Sequence, residues 1–272
     1  MNKEILSRKG ARKAVDIPND ILELLNQGKI ETVNLTEWLA VDHIMLVSTI
    51  FPEIGIKENE IHLIVEKIKS QKKPSTMNTT KLIGATLYEL SSEAGNLDDI
   101  SNKLSTHLSD SIRCYAPYLI ALNENLSITE KLSNSLELIA DNHFGVREVV
   151  WMALRPEIDK NLYQAIEVLS TWTINTNENI RRFTTESTRP RGVWCKHIDQ
   201  LKENPKLALS ILEPLKSDTS KYVQDSVGNW LNDASKSKPE FVLNLCSKWL
   251  KESPTKETEK IIKRAKRTIN KK

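Results

Sequence analysis

The chain has 272 residues, of which 39% are hydrophobic and 28% charged, enough material for an ordinary soluble protein with a sizeable core. No apolar run approaches the roughly 18 residues that a membrane span needs, and the net charge of +3 permits a nucleic-acid partner without demanding one. Cys114, Cys195 and Cys246 are far apart with no C-x-x-C pair, which fits reduced thiols rather than a disulfide framework or a zinc site.

The first fifteen or so residues are polar and basic, with Lys3, Arg8, Lys9, Arg12 and Lys13, and lack the apolar stretch of a signal peptide. They suit a loose arm, a helix start lying on a phosphate backbone, or simply a solvated terminus. Amphipathic segments then follow at 19–27, 35–51, 58–70 and 79–90, each predicted to be a helix, with linkers at 72–78 and 95–99. Only 8 Gly and 10 Pro occur and strand-like alternation is rare, so the fold class is all-α.

From about residue 100 a repeat appears. DSIRCYAPYLIAL, DNHFGVREVVWMAL, NTNENIRRFTTES and DTSKYVQDSVGNWL share a polar start, a β-branched anchor and apolar spacing. The anchors Ile112, Val146, Ile180 and Val223 stand 34, 34 and 43 residues apart, periods that suit two-helix repeats. Asp141, Asn175 and Asp218 each lie five residues before an anchor, where an Asx side chain can cap a helix. The expectation is a curved α-solenoid of HEAT-like repeats in a single domain, 1–272. Residues 1–100 form less regular helices, and 101–272 carry the repeats, closed by a basic capping helix over 256–269. In such an array the polar faces of successive second helices line one surface.

Those faces carry reactive and polar groups. FGVREVVWMALRP puts Glu148, Trp151 and Arg155 on one side of a helix. In NENIRRFTTESTRPRGVW, Arg182 and Glu186 are four apart and can pair, and Arg189, Arg191 and Trp194 follow. SVGNWLNDASK places Asn229 and Asp233 on one face, opposite an apolar stripe of Val223, Val227, Trp230 and Leu231. Each group also has a plainer reading: Glu148 pairing with Arg147, Asp233 bracing a neighbouring helix, the basic C-terminal run as a solvated face. Trp38, Trp172, Trp230 and Trp249 read as core. Cys195 and His197 are two potential ligands without a second pair, so no metal is assigned.

The run from Asp141 to Trp249 resembles the AlkC branch of the AlkC/AlkD family of DNA alkylation repair glycosylases. The resemblance is carried by FGVREVVWMALRP, NENIRRFTTESTRPR with Trp194, and YVQDSVGNWLND. It implies a monofunctional glycosylase that excises alkylated, often cationic bases such as 3-methyladenine or 3-methylcytosine from duplex DNA, without metal or organic cofactor. It implies Glu148, Glu186 and Asp233 as the acidic, catalytic positions around the lesion nucleotide. Trp194, and less directly Trp151, would pack against the lesion or its sugar. Arg182, Arg189 and Arg191 would clamp the DNA backbone, with Asn229 and Lys221 as further DNA contacts.

The chemistry is coherent with that set. A cationic base is already a good leaving group, so carboxylates facing C1′ would stabilise an oxocarbenium-like state and one could orient the attacking water. No Lys sits among the matched residues to act as a lyase amine. Gln224 and Asp225 stand where many AlkC-like chains have two Arg, and Ser187 where Gly is frequent. The loss of two cations implies either weaker phosphate binding or backbone contacts from Lys221 and the basic tail instead. No immunoglobulin-like domain of the kind some members carry is expected after the last repeat. A cytoplasmic monomer, nucleoid-associated when bound to DNA and not membrane-bound, is expected. The alternative is a non-catalytic HEAT scaffold binding DNA or protein. Three convergent carboxylates would repel phosphate and so favour catalysis, provided that they do converge.

Overall fold

The computed structural model describes residues 3–193 and 195–271. Those residues are helical with connecting turns, and no strand occurs among them. The chain packs as two compact units: residues up to Asn125 together with Asn142–Ala153, and Leu126–Asp141 together with the residues from Leu154 onward.

In the first unit the longer helices are α1 (Asn19–Asn26), α2 (Leu35–Ala40), α3 (His43–Ile54), α4 (Glu58–Lys69), α5 (Thr76–Ala94), α6 (Leu97–Ser105) and α7 (Ala116–Leu122). The single helix expected over 35–51 is two, because Asp42 accepts from the N–H groups of Ile44 and Met45 and starts α3 afresh. Likewise the linker at 72–78 is shorter than expected: Ser75 accepts from Asn78 N–H, so α5 begins at Thr76. Caps of this kind stabilise a helix end by about 1 kcal/mol each. Gly55 (φ 95°) and Gly95 (φ 70°) end α3 and α5 in the left-handed conformation that other residues rarely adopt.

Leu46, Val47, Phe51, Ile64, Ile83, Leu87, Ile112 and Tyr115 are fully or almost fully buried here, joined by the anchor Val146. A polar knot lies among them. Asp110 accepts from Thr32 N–H at 2.9 Å and Thr32 Oγ1 at 3.0 Å, and the His143 ring bonds the Thr32 carbonyl at 2.8 Å through Nε2. Burial raises the Asp110 pKa, against the pull of His143 and the Thr32 bonds. The basic N-terminal stretch is fixed at Arg8, whose Nε and Nη2 donate to the buried carboxylate of Glu37 at 3.0 and 2.7 Å.

In the second unit the main helices are α8 (Ile128–Asn134), α9 (Phe144–Lys160, of which the part from Leu154 belongs here), α10 (Leu162–Thr171), α11 (Glu178–Glu186), α13 (Lys221–Ser235) after the short α12 (Asp199–Glu203), α14 (Pro239–Glu252) and α15 (Lys256–Ala265). α13 packs against α11, α14 and α15. The expected stripe of Val223, Val227, Trp230 and Leu231 is fully buried, as is Trp249, whereas Trp172 is half-buried.

Two of the Asx residues before the anchors, Asn175 and Asp218, act one step earlier than expected. Asn175 accepts from Asn177 N–H and Asp218 from Ser220 N–H, both at 2.8 Å, and it is Asn177 and Ser220 that cap α11 and α13. The Asx turn thus delivers the chain to the capping residue. The last helix stops at Ala265, short of the expected Ile269, and a 3₁₀ turn follows over Ile269–Lys271. Among the described residues no helix is long and apolar enough to cross a membrane.

Candidate nucleic-acid interface

The loop after α11 is held by one arginine. Arg155 on α9 is 2% exposed, and its guanidinium donates to three carbonyls: Ser187 at 2.9 Å, Lys196 at 2.9 Å and Arg189 at 2.5 Å. Burial pulls its pKa below the ordinary arginine value, though the group stays charged. The start of the loop is tied to α13 as well, because Trp230 Nε1 donates to the Thr188 carbonyl at 2.9 Å. Ser187 and Thr188 are buried and turn their hydroxyls back onto the carbonyls of Phe183 and Thr184 at 2.7 Å.

Held in this way, Arg189 bridges two carboxylates. Its Nη1 donates to Glu186 Oε1 at 2.8 Å, while Nε and Nη2 both donate to Asp233 Oδ2, at 2.8 and 2.7 Å. Glu186 also accepts from Ser226 Oγ at 2.8 Å and lies 3.6 Å from Arg182 Nη2, the pairing that the four-residue spacing predicts. Asp233 takes a second cation, Lys236, at 2.9 Å. Both carboxylates are buried, at 5% and 3% exposure.

Burial would push the Glu186 pKa up, but Arg182, Arg189 and the bonds from Arg189 and Ser226 outweigh it and hold the group below the usual carboxylate value. Burial pulls the other way on Arg189, where Glu186 and Asp233 prevail and raise its pKa. Three cations, Arg182, Arg189 and Lys236, surround these two carboxylates, so the cluster is cationic by one charge and does not repel a phosphate.

Around this cluster, Arg191 donates to Ser237 Oγ at 2.7 Å and reaches the Asp233 carbonyl at 3.4 Å. The Arg182 guanidinium lies 4.3 Å from the centroid of the Tyr222 ring. Further along α13, Lys221 pairs with Asp225 at 2.6 Å, and Arg264 of α15 reaches Asp225 at 2.6 Å and Asn229 at 3.4 Å.

Glu186, Asp233, Arg182, Arg189 and Arg191 therefore share one cluster in the second unit, with Asn229 and Lys221 on the same helix as Asp233. Glu148 and Trp151 belong to the first unit. There the Trp151 indole is buried at 3% exposure and its Nε1 donates to Glu148 Oε2 at 2.9 Å, so this ring anchors a carboxylate. Trp194 lies outside the described residues. Sequence reasoning put Arg155 on the right side of α9 but missed its work as a loop pin. The signal was there, in a lone Arg closing the apolar run VVWMAL. Ser226 carried no signal, since only the packing of α11 on α13 makes it a neighbour of Glu186, whereas Lys236 stands three residues after Asp233, a spacing that by itself permits the pair.

A wholly helical protein whose repeat helices gather carboxylates within a surplus of cations is the class that this architecture defines. The sequence profile of the DNA alkylation repair enzyme family matches residues 129–267, and the chain belongs to that family. An uncharacterised protein of Bacillus subtilis, YhaZ, is 41% identical over 120 residues, which is 44% of this chain and 33% of that protein. Among solved structures, the Pseudomonas fluorescens alkylpurine DNA glycosylase AlkC, bound to DNA containing an abasic site analogue, is similar with a TM-score of 0.67 and 23% identity. That match covers 84% of this chain and 62% of AlkC. AlkD2 from Streptococcus mutans is similar with a TM-score of 0.60 and 24% identity, covering 77% of this chain and 97% of that one. At these identities the likeness establishes the fold. The chain spans about a third of the curated relative and under two thirds of AlkC.

Proposed function

We propose that the protein is a monofunctional DNA glycosylase that removes alkylated, cationic bases such as 3-methyladenine or 3-methylcytosine from duplex DNA. The observation that carries this reading is the pair Glu186 and Asp233, held on one guanidinium inside a cluster of net positive charge. A surface that only binds phosphate gains nothing from burying two carboxylates among its cations. A site that must bind a polyanion and also stabilise a cationic sugar needs both signs of charge together.

In the reaction, the glycosidic bond breaks with its electron pair going to the base, which leaves neutral because it began as a cation. The sugar develops positive charge at C1′ and O4′, which a carboxylate stabilises. Water then adds to C1′ and gives up a proton to a carboxylate or to solvent. Arg189 bridges both carboxylates, so engagement of Arg189 by a backbone phosphate would remove one partner from each of them. Arg182 and Arg191 serve the same backbone. By the family resemblance Glu148 is a further acidic candidate and Trp194 an aromatic one. The protein acts as a monomer, in the cytoplasm.

The test is release of free methylated bases from DNA treated with a methylating agent, comparing wild type with Glu186→Gln and Asp233→Asn. Release by wild type, lost in the variants while duplex binding persists, supports excision. Products nicked only after alkali treatment support the monofunctional assignment. The burial and full ion pairing of both acids favour a second reading, a DNA-binding module without excision. Duplex binding by wild type with no release across several lesions would establish that one instead.

A further inference from the structure

α13 and α15 enclose a groove of about 550 Å³ beside the carboxylate cluster's own helix. Five cations line it, Lys221, Lys260, Lys263, Arg264 and Arg267, against one carboxylate, Asp225. Asp225 is already engaged by Lys221 and Arg264. Lys260, Lys263 and Arg267 are exposed and ion-paired to nothing among the described residues, so three charges face the groove uncompensated.

Three features give this patch a ligand. Lys260, Lys263, Arg264 and Arg267 follow one another at i, i+3, i+4 and i+7, which puts all four on one side of α15 and its continuation. At 1.5 Å per residue the row is about 10 Å long, the axial rise of about three phosphates on one DNA strand. A row of that length matches a polyanion better than a single phosphate. Next, Gln224 is buried at the edge of the groove with its Nε2 bonded to the Asp218 carbonyl at 2.8 Å, while its Oε1 has no donor in the protein. A water held by a bound phosphate would supply that donor. Finally, Gly228 lets the Arg264 side chain lie close against α13. A Cβ there would lie 2.8 Å from Arg264 Cβ, so only glycine lets the Arg264 stem lie flat on α13 and carry its guanidinium to Asp225 and Asn229.

We infer that the α13–α15 groove is a phosphodiester-backbone seat. α15 supplies there the cations that α13 lacks at Gln224 and Asp225, and so extends the DNA footprint beyond the carboxylate cluster. This rests on the DNA-binding part of the proposed function but not on excision. Lys260, Lys263 and Arg267 bind the strand directly, and Arg264 is shared between Asp225 and the strand.

The experiment is binding of an undamaged 20-base-pair duplex by fluorescence anisotropy across a salt series. It compares wild type, the triple variant Lys260→Gln/Lys263→Gln/Arg267→Gln, and a control with the same charge change far along the chain, Lys69→Gln/Lys72→Gln/Lys73→Gln. Helical content and melting temperature are checked for all three. The groove variant is expected to bind at least about fivefold more weakly at moderate salt. Its log K against log salt should be shallower by about 0.9 for each phosphate no longer neutralised, hence by about two to three. The control should stay near wild type. A groove variant that moves no further than the control overturns the inference, even if wild type excises bases. So does a wild type that binds no duplex, or a groove variant that loses only binding to anionic lipid vesicles. The expected weakening in the groove variant, with no excision by wild type, leaves the groove standing and removes the glycosylase.

Discussion

Arg155 donates to the main-chain carbonyl of Arg189, so one buried arginine fixes the backbone from which another reaches Glu186 and Asp233. The first binds only carbonyls in the loop and the second binds the carboxylates. Placement of the acids thus depends on a residue that touches neither of them.

Arg155→Lys tests this arrangement. Lysine keeps the charge but loses the planar fork, so at least one of three buried carbonyls is left without a donor. Denaturant unfolding should show a loss of about 2–3 kcal/mol. Excision should fall further than this loss of stability accounts for when assayed below the variant's melting range. Wild-type excision by a variant of reduced stability would mean that the loop holds its shape by other interactions.

Glu186 sets a pH signature. Its pKa is depressed in the folded protein, so the folded state binds fewer protons than the unfolded state as pH falls through the ordinary carboxylate range. Its contribution to stability is complete above that range and is lost as pH falls toward the depressed value. Ser226→Ala removes one bond to the carboxylate and should raise its pKa. The acid limb of the excision profile should shift upward with it. An unmoved acid limb would show that Glu186 is not the group titrating in the reaction.

His43 gives the opposite kind of group, a base buried neutral. Burial lowers its pKa from 6.5 to about 4, only partly offset by Asp42, and its Nδ1 bonds the Tyr115 hydroxyl at 2.7 Å. Between those values the unfolded chain takes up a proton that the folded chain refuses, so stability falls as pH drops from 6.5 toward 4. The size is about 3 kcal/mol across that window. Denaturant melts at about pH 7 and about pH 4.5, on either side of most of that titration, measure it. His43→Gln should flatten this part of the curve. An equal slope in the variant would assign the loss to other groups.

Gly228→Ala sets two effects against each other. Alanine favours helix by about 1 kcal/mol over glycine, but its Cβ would fall 2.8–3.0 Å from the Arg264 stem, including Arg264 Cβ, which cannot swing aside. Overpacking of this kind costs about 1–3 kcal/mol. A lower melting temperature and weaker duplex binding are expected. A stabilised variant would show that α15 shifts freely on α13.

The architecture was legible where local chemistry decides it. Buried anchors at Ile112, Val146, Ile180 and Val223, the apolar stripe on α13, and the Arg182–Glu186 pairing all follow from helical spacing. Boundaries were less legible, because Asp42, Ser75, Asn177 and Ser220 compete with neighbouring polar residues for the cap and only the fold selects among them. The site was legible in its membership and not in its wiring. Arg189 reads as a free phosphate clamp in the sequence, whereas the packing of α11 on α13 brings Asp233, 44 residues away, onto the same guanidinium. Tertiary pairings of that range leave no trace in periodicity. Trp172 read as core for its size alone, and it sits half-exposed at the end of α10, where the 3₁₀ turn carries it outward.

The first unit is not continuous in the chain: it needs Asn142–Ala153, and its polar knot joins Thr32, Asp110 and His143 across 111 residues. A ribosome releases those three in order and slowly, at roughly 5–20 residues per second. Thr32 and Asp110 can meet early, but His143 emerges several seconds after Thr32. Through that interval the nascent unit carries an incomplete core, so the part of the molecule synthesised first is not free to finish folding first. Shortened chains that stop near Asn125 should populate a loosened first unit.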